Sequence, residues 1–330
     1  MKDSKLTMKD IAEIAGVGKS TVSRYFNGGV VKPETKELLR SICEKYNYKP
    51  NQAAKLLKAK RTNTIGIISP TLTSYTSSVT ITAMDDYLKD RGFRTIIVNT
   101  NHSSKREKEA FEYLTELNVD GIVILATNNK YDYSKLKEQY SIPILFMGQE
   151  IENCPSIVYD DYRSGYEVGK LIAKNGHKDI YFAGVDENDI SVGVIRKLGV
   201  YDALKENKIS KIKFIKADFE YEKCLPILQK ALDKHIPSAI ICATDRIASA
   251  CYTILQNKNI SIPDEVSIIG FGSYRYSRLM NPPLESIHFN NKEAGEQCAQ
   301  TILEMVESIE VEYRQLIGFE VVHGGSIRKI

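Results

Sequence analysis

TMKDIAEIAGVGKSTVSRYFNGG, residues 7–29, reads as two short helices with a tight turn between them. Thr7 can cap a helix, and Asp10, three residues on, sits where a capping partner belongs. Ile11, Ala12 and Ala15 make one apolar face. Gly16 is placed to end this helix in the left-handed conformation that costs glycine least. Gly18 can start the next helix, Val22 and Phe26 give it a buried side, and Asn27-Gly28-Gly29 stops it. Two helices joined so tightly must cross steeply, which is a helix-turn-helix. The side of the second helix away from its apolar face carries Lys19, Ser20 and Arg24. Lysine and arginine donate to guanine edges in a major groove, and serine serves several bases. Thr7, Thr21, Ser23 and Asn27 are short polar side chains suited to phosphate oxygens.

Working outward, Pro33 suits the first turn of a third helix, with Leu38, Leu39 and Ile42 packing on the other two. Pro50 bars that helix from continuing. Residues 51–59, with Lys55, Leu56, Leu57 and Lys58, could form one more helix, too short to be stable alone in water. On composition it reads as a basic linker. The alternative is a helix that forms only when two copies meet on DNA, with Leu57 wedged between base steps in the minor groove. Charge supports a polyanion partner for this end. Residues 1–62 carry 14 Lys and Arg against 6 Asp and Glu, a balance of +8; the rest carries 31 against 36, so −5, giving the net +3. A basic piece on an acidic body is the electrostatic footprint of a nucleic-acid-binding module.

After Thr64 the pattern changes to short apolar runs alternating with helical ones. Strands are expected in IGIIS from Ile65, TIIVN from Thr95, GIVILA from Gly121, PILFM from Pro143, IYFAG from Ile180, FIKA from Phe214, AIICA from Ala239 and VSIIG from Val266. Helices are expected in KREKEAFEYLTEL from Lys105 and YEKCLPILQKAL from Tyr221. The alternation implies parallel sheets covered by helices, and eight strands divide into two such sheets. Ligands bind at the carboxyl ends of strands in this architecture, so two facing sheets make a cleft.

No P-loop, GxGxxG or GxSxG elbow is present, so no catalytic residue and no cofactor is expected. The acidic pair Asp160-Asp161 reads as a polar crossover rather than an acid–base couple. The six cysteines have no CxxC pair and the histidines stand apart, so packed, reduced thiols are expected and no metal site. The apolar runs are too short to span a bilayer and the amino terminus lacks an apolar secretion core, which implies a cytoplasmic protein.

KDIAEIAGVGKSTVSRYFNGG followed by NYKPNQAAKLLKAKRTNTIG resembles the LacI/GalR family of bacterial repressors, and the likeness runs to the end of the chain. It implies an α/β protein with an all-α head: a three-helix helix-turn-helix domain over 1–50, a hinge helix over 51–62, and a two-lobed, periplasmic-binding-protein-like domain over 63–330. The lobes would hold two parallel, doubly wound sheets. One lobe would span about 63–160 and 291–318, the other 161–290 and 319–330. By the resemblance Lys19, Ser20 and Arg24 read bases, Asn51 and Leu57 belong to the DNA-binding hinge, and Leu57 is the minor-groove lever, which displaces the linker reading. Gly18 stands where a phosphate-binding serine is usual, and Lys32 where the third helix usually has a serine cap.

Several segments are similar to the sucrose- and trehalose-operon repressors of that family, among them PTLTSYTSS, VYDDY, GVDENDISVGVIRKLG, CATD and GFGSYRYSRLMNPPLESI. The resemblance makes Arg196 the effector-binding arginine, a fork able to clamp vicinal hydroxyls or a phosphate. It makes Phe219 a stacking aromatic and Asp245 a polar contact at a strand tip. Ser69, Thr71, Ser74, Tyr75, Gln149, Ser191 and Ser273 complete the expected effector set. Gly148-Gln149 and Gly272 replace aspartates common in the family. Thr71 replaces an arginine that helps hold phosphate in trehalose-type members, which counts against a phosphorylated effector. The expected function is a sugar- or sugar-phosphate-controlled repressor of a carbohydrate operon, binding pseudo-palindromic operator DNA as a homodimer. Two alternatives remain: a corepressor-type regulator answering a purine or a phosphorylated carrier protein, and a sugar-processing enzyme.

Overall fold

A computed structural model describes residues 6–26, 29–48, 61–126, 133 and 140–330, and the chain divides into two compact units, Met1–Thr62 and Asn63–Ile330. In the first unit, helix α1 (Met8–Ala15) begins in a capping box: Thr7 accepts from the Asp10 amide, and the Asp10 carboxylate accepts from the Thr7 amide at 2.6 Å. It ends at Gly16, whose φ of 64° is the left-handed cap. Helix α2 (Lys19–Phe26) starts on the Gly18 carbonyl, which accepts from Thr21 and Val22. Helix α3 (Pro33–Lys45) has Pro33 in its first turn and no side-chain cap from Lys32. Ile11, Ala12, Ala15, Val22, Leu39 and Ile42 form the shared core. Leu38, expected in that core, is 44% exposed instead, because Leu39 and Ile42 already fill the face that meets α1 and α2.

The second unit holds two six-stranded sheets. One has the order β11-β5-β4-β3-β1-β2, the other β12-β10-β9-β8-β6-β7. The first contains β1 (Thr64–Ser69), β2 (Arg94–Asn99), β3 (Gly121–Leu125), β4 (Ile144–Met147), β5 (Ser156–Tyr159) and β11 (Arg314–Ile317). The second contains β6 (Ile180–Gly184), β7 (Ile212–Lys216), β8 (Ala239–Cys242), β9 (Ser267–Phe271), β10 (Glu285–Phe289) and β12 (Phe319–Val322). All eight expected strands form, and the two-lobed fold is the one expected. The sheets are not wholly parallel: β12 runs antiparallel to β10, pairing Ser286 with Val322 and Phe289 with Phe319.

Four strands were not anticipated, β5, β10, β11 and β12. They flank the three places where the chain changes sheet: after Tyr159, after Phe289, and at Gly318 between β11 and β12. β11 and β12 lie at sheet edges with mostly open residues, and β10 carries Glu285 and His288, so none shows the continuous apolar run of a central strand. Each lobe buries its own core. Ile65, Met84, Leu145 and Ile302 exemplify one layer, Phe111, Leu114 and Phe146 the layer on the opposite face of that sheet, and Phe182, Ile241, Ile254 and Ile269 the core of the other lobe. Five of the six thiols are buried and none is in a disulfide. Among the described residues no helix is long and apolar enough to cross a membrane, and no cluster of metal-ligating side chains occurs.

Candidate functional site

The first unit presents a polar helix face. Val22 points into the core, which turns Lys19, Ser20 and Arg24 outward, and all three are exposed. Ser20 and Arg24 lie one turn apart on that face. Thr21 and Ser23 flank it, half-buried. Thr7 is exposed, but its hydroxyl is already engaged with Asp10, donating to the carboxylate at 2.7 Å. Any phosphate contact from Thr7 must share that oxygen. Asn27, Asn51 and Leu57 lie outside the described residues.

The second unit has a cavity of about 470 Å³ between its lobes, a size typical of small-molecule sites. It opens where the strand ends predict it. Pro70 and Thr71 follow β1, Ala126 follows β3, Gly148 and Gln149 follow β4, and Tyr159 ends β5. From the other lobe, Phe219 comes after β7, Thr244 and Arg246 after β8, Gly272 and Tyr274 after β9, and Phe289 ends β10. These are the carboxyl ends of parallel strands, where backbone groups and helix N-termini are left free to meet a ligand.

Arg196 lies at the centre of the polar wall. It closes a single π-helical segment, Ile190–Arg196, that begins on Asp189. Arg196 as a whole is 5% exposed. Its Nε and Nη2 donate to Asp161 Oδ1 at 2.8 and 2.5 Å, and its Nη1 donates to the Ala243 carbonyl at 2.6 Å. Three of its five N–H groups are thus used, and two remain for a ligand. Phe271 and Phe289 cover the guanidinium, with ring centroids at 4.6 and 5.3 Å. Asp161 is 3% exposed, and burial outweighs the neighbouring arginine, lifting its carboxyl to about 6.

Several polar contacts cross the cleft, among them the Ser191 amide donating to Gln149 Oε1 at 3.3 Å. Gln149 Nε2 donates to Asp189 Oδ1 at 2.8 Å. Ser191 Oγ donates to the Gly148 carbonyl at 2.6 Å. Arg246 Nη2 donates to the Thr73 carbonyl at 3.1 Å. Burial raises the Asp189 carboxyl above its ordinary value. Tyr75 and Tyr274 add an aromatic contact between the lobes, centroids 4.9 Å apart.

Of the expected effector residues, Thr71, Ser74, Gln149, Ser191, Arg196 and Phe219 line this cavity. Four do not. Ser69 is fully buried and donates to the Thr71 carbonyl at 2.8 Å. Tyr75 lies behind the lining, against Tyr274. Ser273 is buried, its amide bonded to Ser286 Oγ. Asp245 is fully buried: Oδ2 accepts from the Tyr274 amide at 2.9 Å and Ser277 Oγ at 2.6 Å, and Oδ1 from Ser286 Oγ at 2.6 Å. It organises the loop after β9 rather than facing the cavity, and the helix cap beside it is Thr244. Asp161, Asp189, Arg246 and Tyr274 also line the cavity and are outside the set expected from the sequence. Arg246 and Tyr274 lie four and three residues past the ends of strands foreseen in the sequence, close enough to a strand end to be considered. In the sequence Asp161 reads as part of a polar crossover, since nothing local ties it to Arg196, 35 residues away.

Comparison with known proteins agrees with this architecture. Residues 7–51 match the family model of bacterial regulatory proteins of the lacI family, and residues 62–318 the model of periplasmic binding proteins and the sugar binding domain of the LacI family. The sucrose operon repressor of Staphylococcus xylosus is 33% identical over 312 residues, 94% of this chain and 97% of that protein. The transcriptional repressor PurR of Vibrio parahaemolyticus is 28% identical, covering 98% of this chain and 99% of the relative. The ribose operon repressor of Haemophilus influenzae is 28% identical, covering 94% and 95%. In fold, the chain is similar to the lac repressor dimer bound to operator and the anti-inducer ONPF, with a TM-score of 0.89 at 21% identity, covering 98% of this chain and all of that one. Two matched models spanning head and body, with a full-length relative above 30% identity, place the chain in the LacI family of bacterial transcriptional regulators.

Proposed function

We propose that this chain is a repressor of a carbohydrate-utilisation operon, acting in the cytoplasm as a homodimer on pseudo-palindromic operator DNA. Lys19, Ser20 and Arg24 would read base edges, Thr21, Ser23, Asn27 and Thr7 would meet phosphates, and the hinge with Asn51 and Leu57 would enter the minor groove. The effector would be a sugar held by Arg196, Asp161, Gln149, Ser191, Thr71 and Ser74, with Phe219 beneath a ring face. One observation carries the reading. Arg196 is oriented by a buried carboxylate and keeps two N–H groups unspent on a cavity wall between the lobes, which suits a pair of vicinal hydroxyls. The sucrose and ribose repressors among the relatives support a sugar.

A sugar can move the operator equilibrium only by binding one arrangement of the lobes better than another. A hundredfold change in operator affinity needs about 2.7 kcal/mol of such preference, which a few hydroxyl contacts supply. The test is operator binding by fluorescence anisotropy, with and without sucrose, trehalose and ribose. An operator-sized duplex should be bound specifically, one sugar should shift the affinity, and Arg24→Ala should abolish the specific component while weak nonspecific binding persists. Equal affinity for every duplex, whatever sugar is present, would sink the reading.

A second reading has a specific observation behind it. PurR relatives match nearly the whole chain, and the cavity walls are rich in aromatics. A purine corepressor would tighten operator binding. Purine bases in the same assay separate the two readings.

A further inference from the structure

The cavity lining holds three carboxylates, Asp161, Asp189 and Glu220, and two guanidinium groups, Arg196 and Arg246. Both guanidinium groups already donate within the protein. Arg196 gives its charge to Asp161 at 2.5 Å. Arg246 donates to the carbonyls of Thr73 and Phe219 and has the Glu220 carboxylate as its neighbouring charge. Glu220 is also bridged at 2.7 Å to Lys223, which is not part of the lining. Asp189 is the remaining charge. Its Oδ1 accepts from Gln149 Nε2 at 2.8 Å and from the Val192 amide at 2.9 Å. Among the described residues Oδ2 accepts no hydrogen bond and no cation is in ion-pair contact with the side chain; Arg196 is a neighbouring charge, but its contact is with Asp161. After the first strand comes Thr71, whose hydroxyl meets that of Thr73 at 2.9 Å and offers no charge.

We propose that the effector of this cavity is an uncharged saccharide, and that Asp189 is the specificity residue that rejects its phosphorylated counterpart. The inference rests on the sugar reading given above and narrows it. A sugar hydroxyl both donates and accepts. One hydroxyl can accept from the unspent N–H groups of Arg196 while another donates to Asp189 Oδ2. A phosphate monoester offers acceptors almost alone and close to two negative charges. It could still accept from Arg196, but that charge is already answered by Asp161, and Asp189 would face it with a like charge in a cleft of low effective dielectric. Asp189 also bridges the lobes through Gln149, so a group that repels it works against the cross-cleft contact as well.

The test is isothermal titration of the full-length protein at about pH 8 with matched pairs: sucrose and sucrose 6-phosphate, trehalose and trehalose 6-phosphate, glucose and glucose 6-phosphate. In a pair that binds, the neutral member should bind about a hundredfold tighter. Asp189→Asn keeps the start of the π-helical segment, since asparagine caps as well as aspartate, and should narrow that preference to about tenfold or less. A phosphorylated sugar that binds as well as or better than its neutral partner overturns the proposal. So does a preference unchanged in Asp189→Asn. The wild-type comparison decides even if that variant folds poorly. If no sugar of either kind titrates, the sugar reading falls and this inference falls with it, a result separate from a reversed preference.

Discussion

Arg196 and Asp161 act as one unit. Each is nearly sealed from water and each satisfies the other, so removing one leaves a buried charge unmatched. Arg196→Ala is expected to lower stability by about 3–5 kcal/mol and to abolish sugar binding. Urea unfolding and calorimetry measure the two, and removing Asp161 as well should recover part of the stability. Asp245 makes the contrast. Asp245→Ala strands the Tyr274 amide and two serine hydroxyls, so a loss of about 3 kcal/mol or more is expected, while sugar affinity falls less than in Arg196→Ala. The sequence suggested Arg196 and Asp245 alike as ligand contacts. Both are buried polar groups near strand ends, and only the direction of the side chain separates a wall of the cavity from the scaffold behind it.

Acidity bears on the same pair. Asp161 has a folded value of about 6 against an ordinary 3.8, so it takes up a proton as the pH falls through about 6 and loosens its hold on Arg196. Sugar affinity should therefore be steady from about pH 8 to 7 and drop below 6. The stability term from this group has the opposite sign. A raised folded value favours the protonated folded state, so its contribution is full below 3.8 and is lost as the pH rises through about 6. Titrations of sugar and of urea across this range should move in opposite directions on Asp161's account.

At the scale of elements, the arginine is placed by a close helix crossing. The helices Asp161–Lys174 and Lys197–Glu206 pack so tightly that a Cβ at Gly165 would lie 2.2 Å from the Arg196 carbonyl oxygen, and one at Gly199 would lie 2.1 Å from that of Tyr162. Gly165→Ala should push the second helix and Arg196 outward, costing about 1–3 kcal/mol and weakening sugar binding. Thermal unfolding and titration of the variant check this; unchanged affinity would mean that the crossing does not set the arginine. Central elements were legible because burial on both faces demands continuous apolar runs, as in β3 and β8. The edge strands β11 and β12 were not, since one row of hydrogen bonds and a half-open face leave little mark on composition. The π-helical segment has no local signature at all. It is held from outside, by Gln149 and the Gly148 carbonyl on Asp189 and Ser191.

At the scale of the whole molecule, the cleft is bridged by Gln149–Asp189, Ser191–Gly148 and Arg246–Thr73. A sugar seated among these groups adds to contacts that favour this arrangement of the lobes. Removing one bridge alone, Ser191→Ala, should weaken sugar binding by about tenfold, the worth of one buried hydrogen bond. The operator assay should then need proportionately more sugar for the same shift. If sugar affinity fell and the sugar dose for half release of DNA did not follow, the two sites would not be coupled through the cleft.

The helical head, with its capping box and glycine turn, and the alternation that yields two sheets follow from local sequence alone. Those features come from short-range rules of capping, periodicity and backbone freedom, which operate within a few residues. Which polar residues face the cavity depends on three-dimensional packing. The union of Asp161 with Arg196, the bond from Gln149 to Asp189 and the withdrawal of Asp245 behind the wall join positions 29 to 41 residues apart. Such pairings depend on how two lobes close on one another, and no local pattern records that geometry.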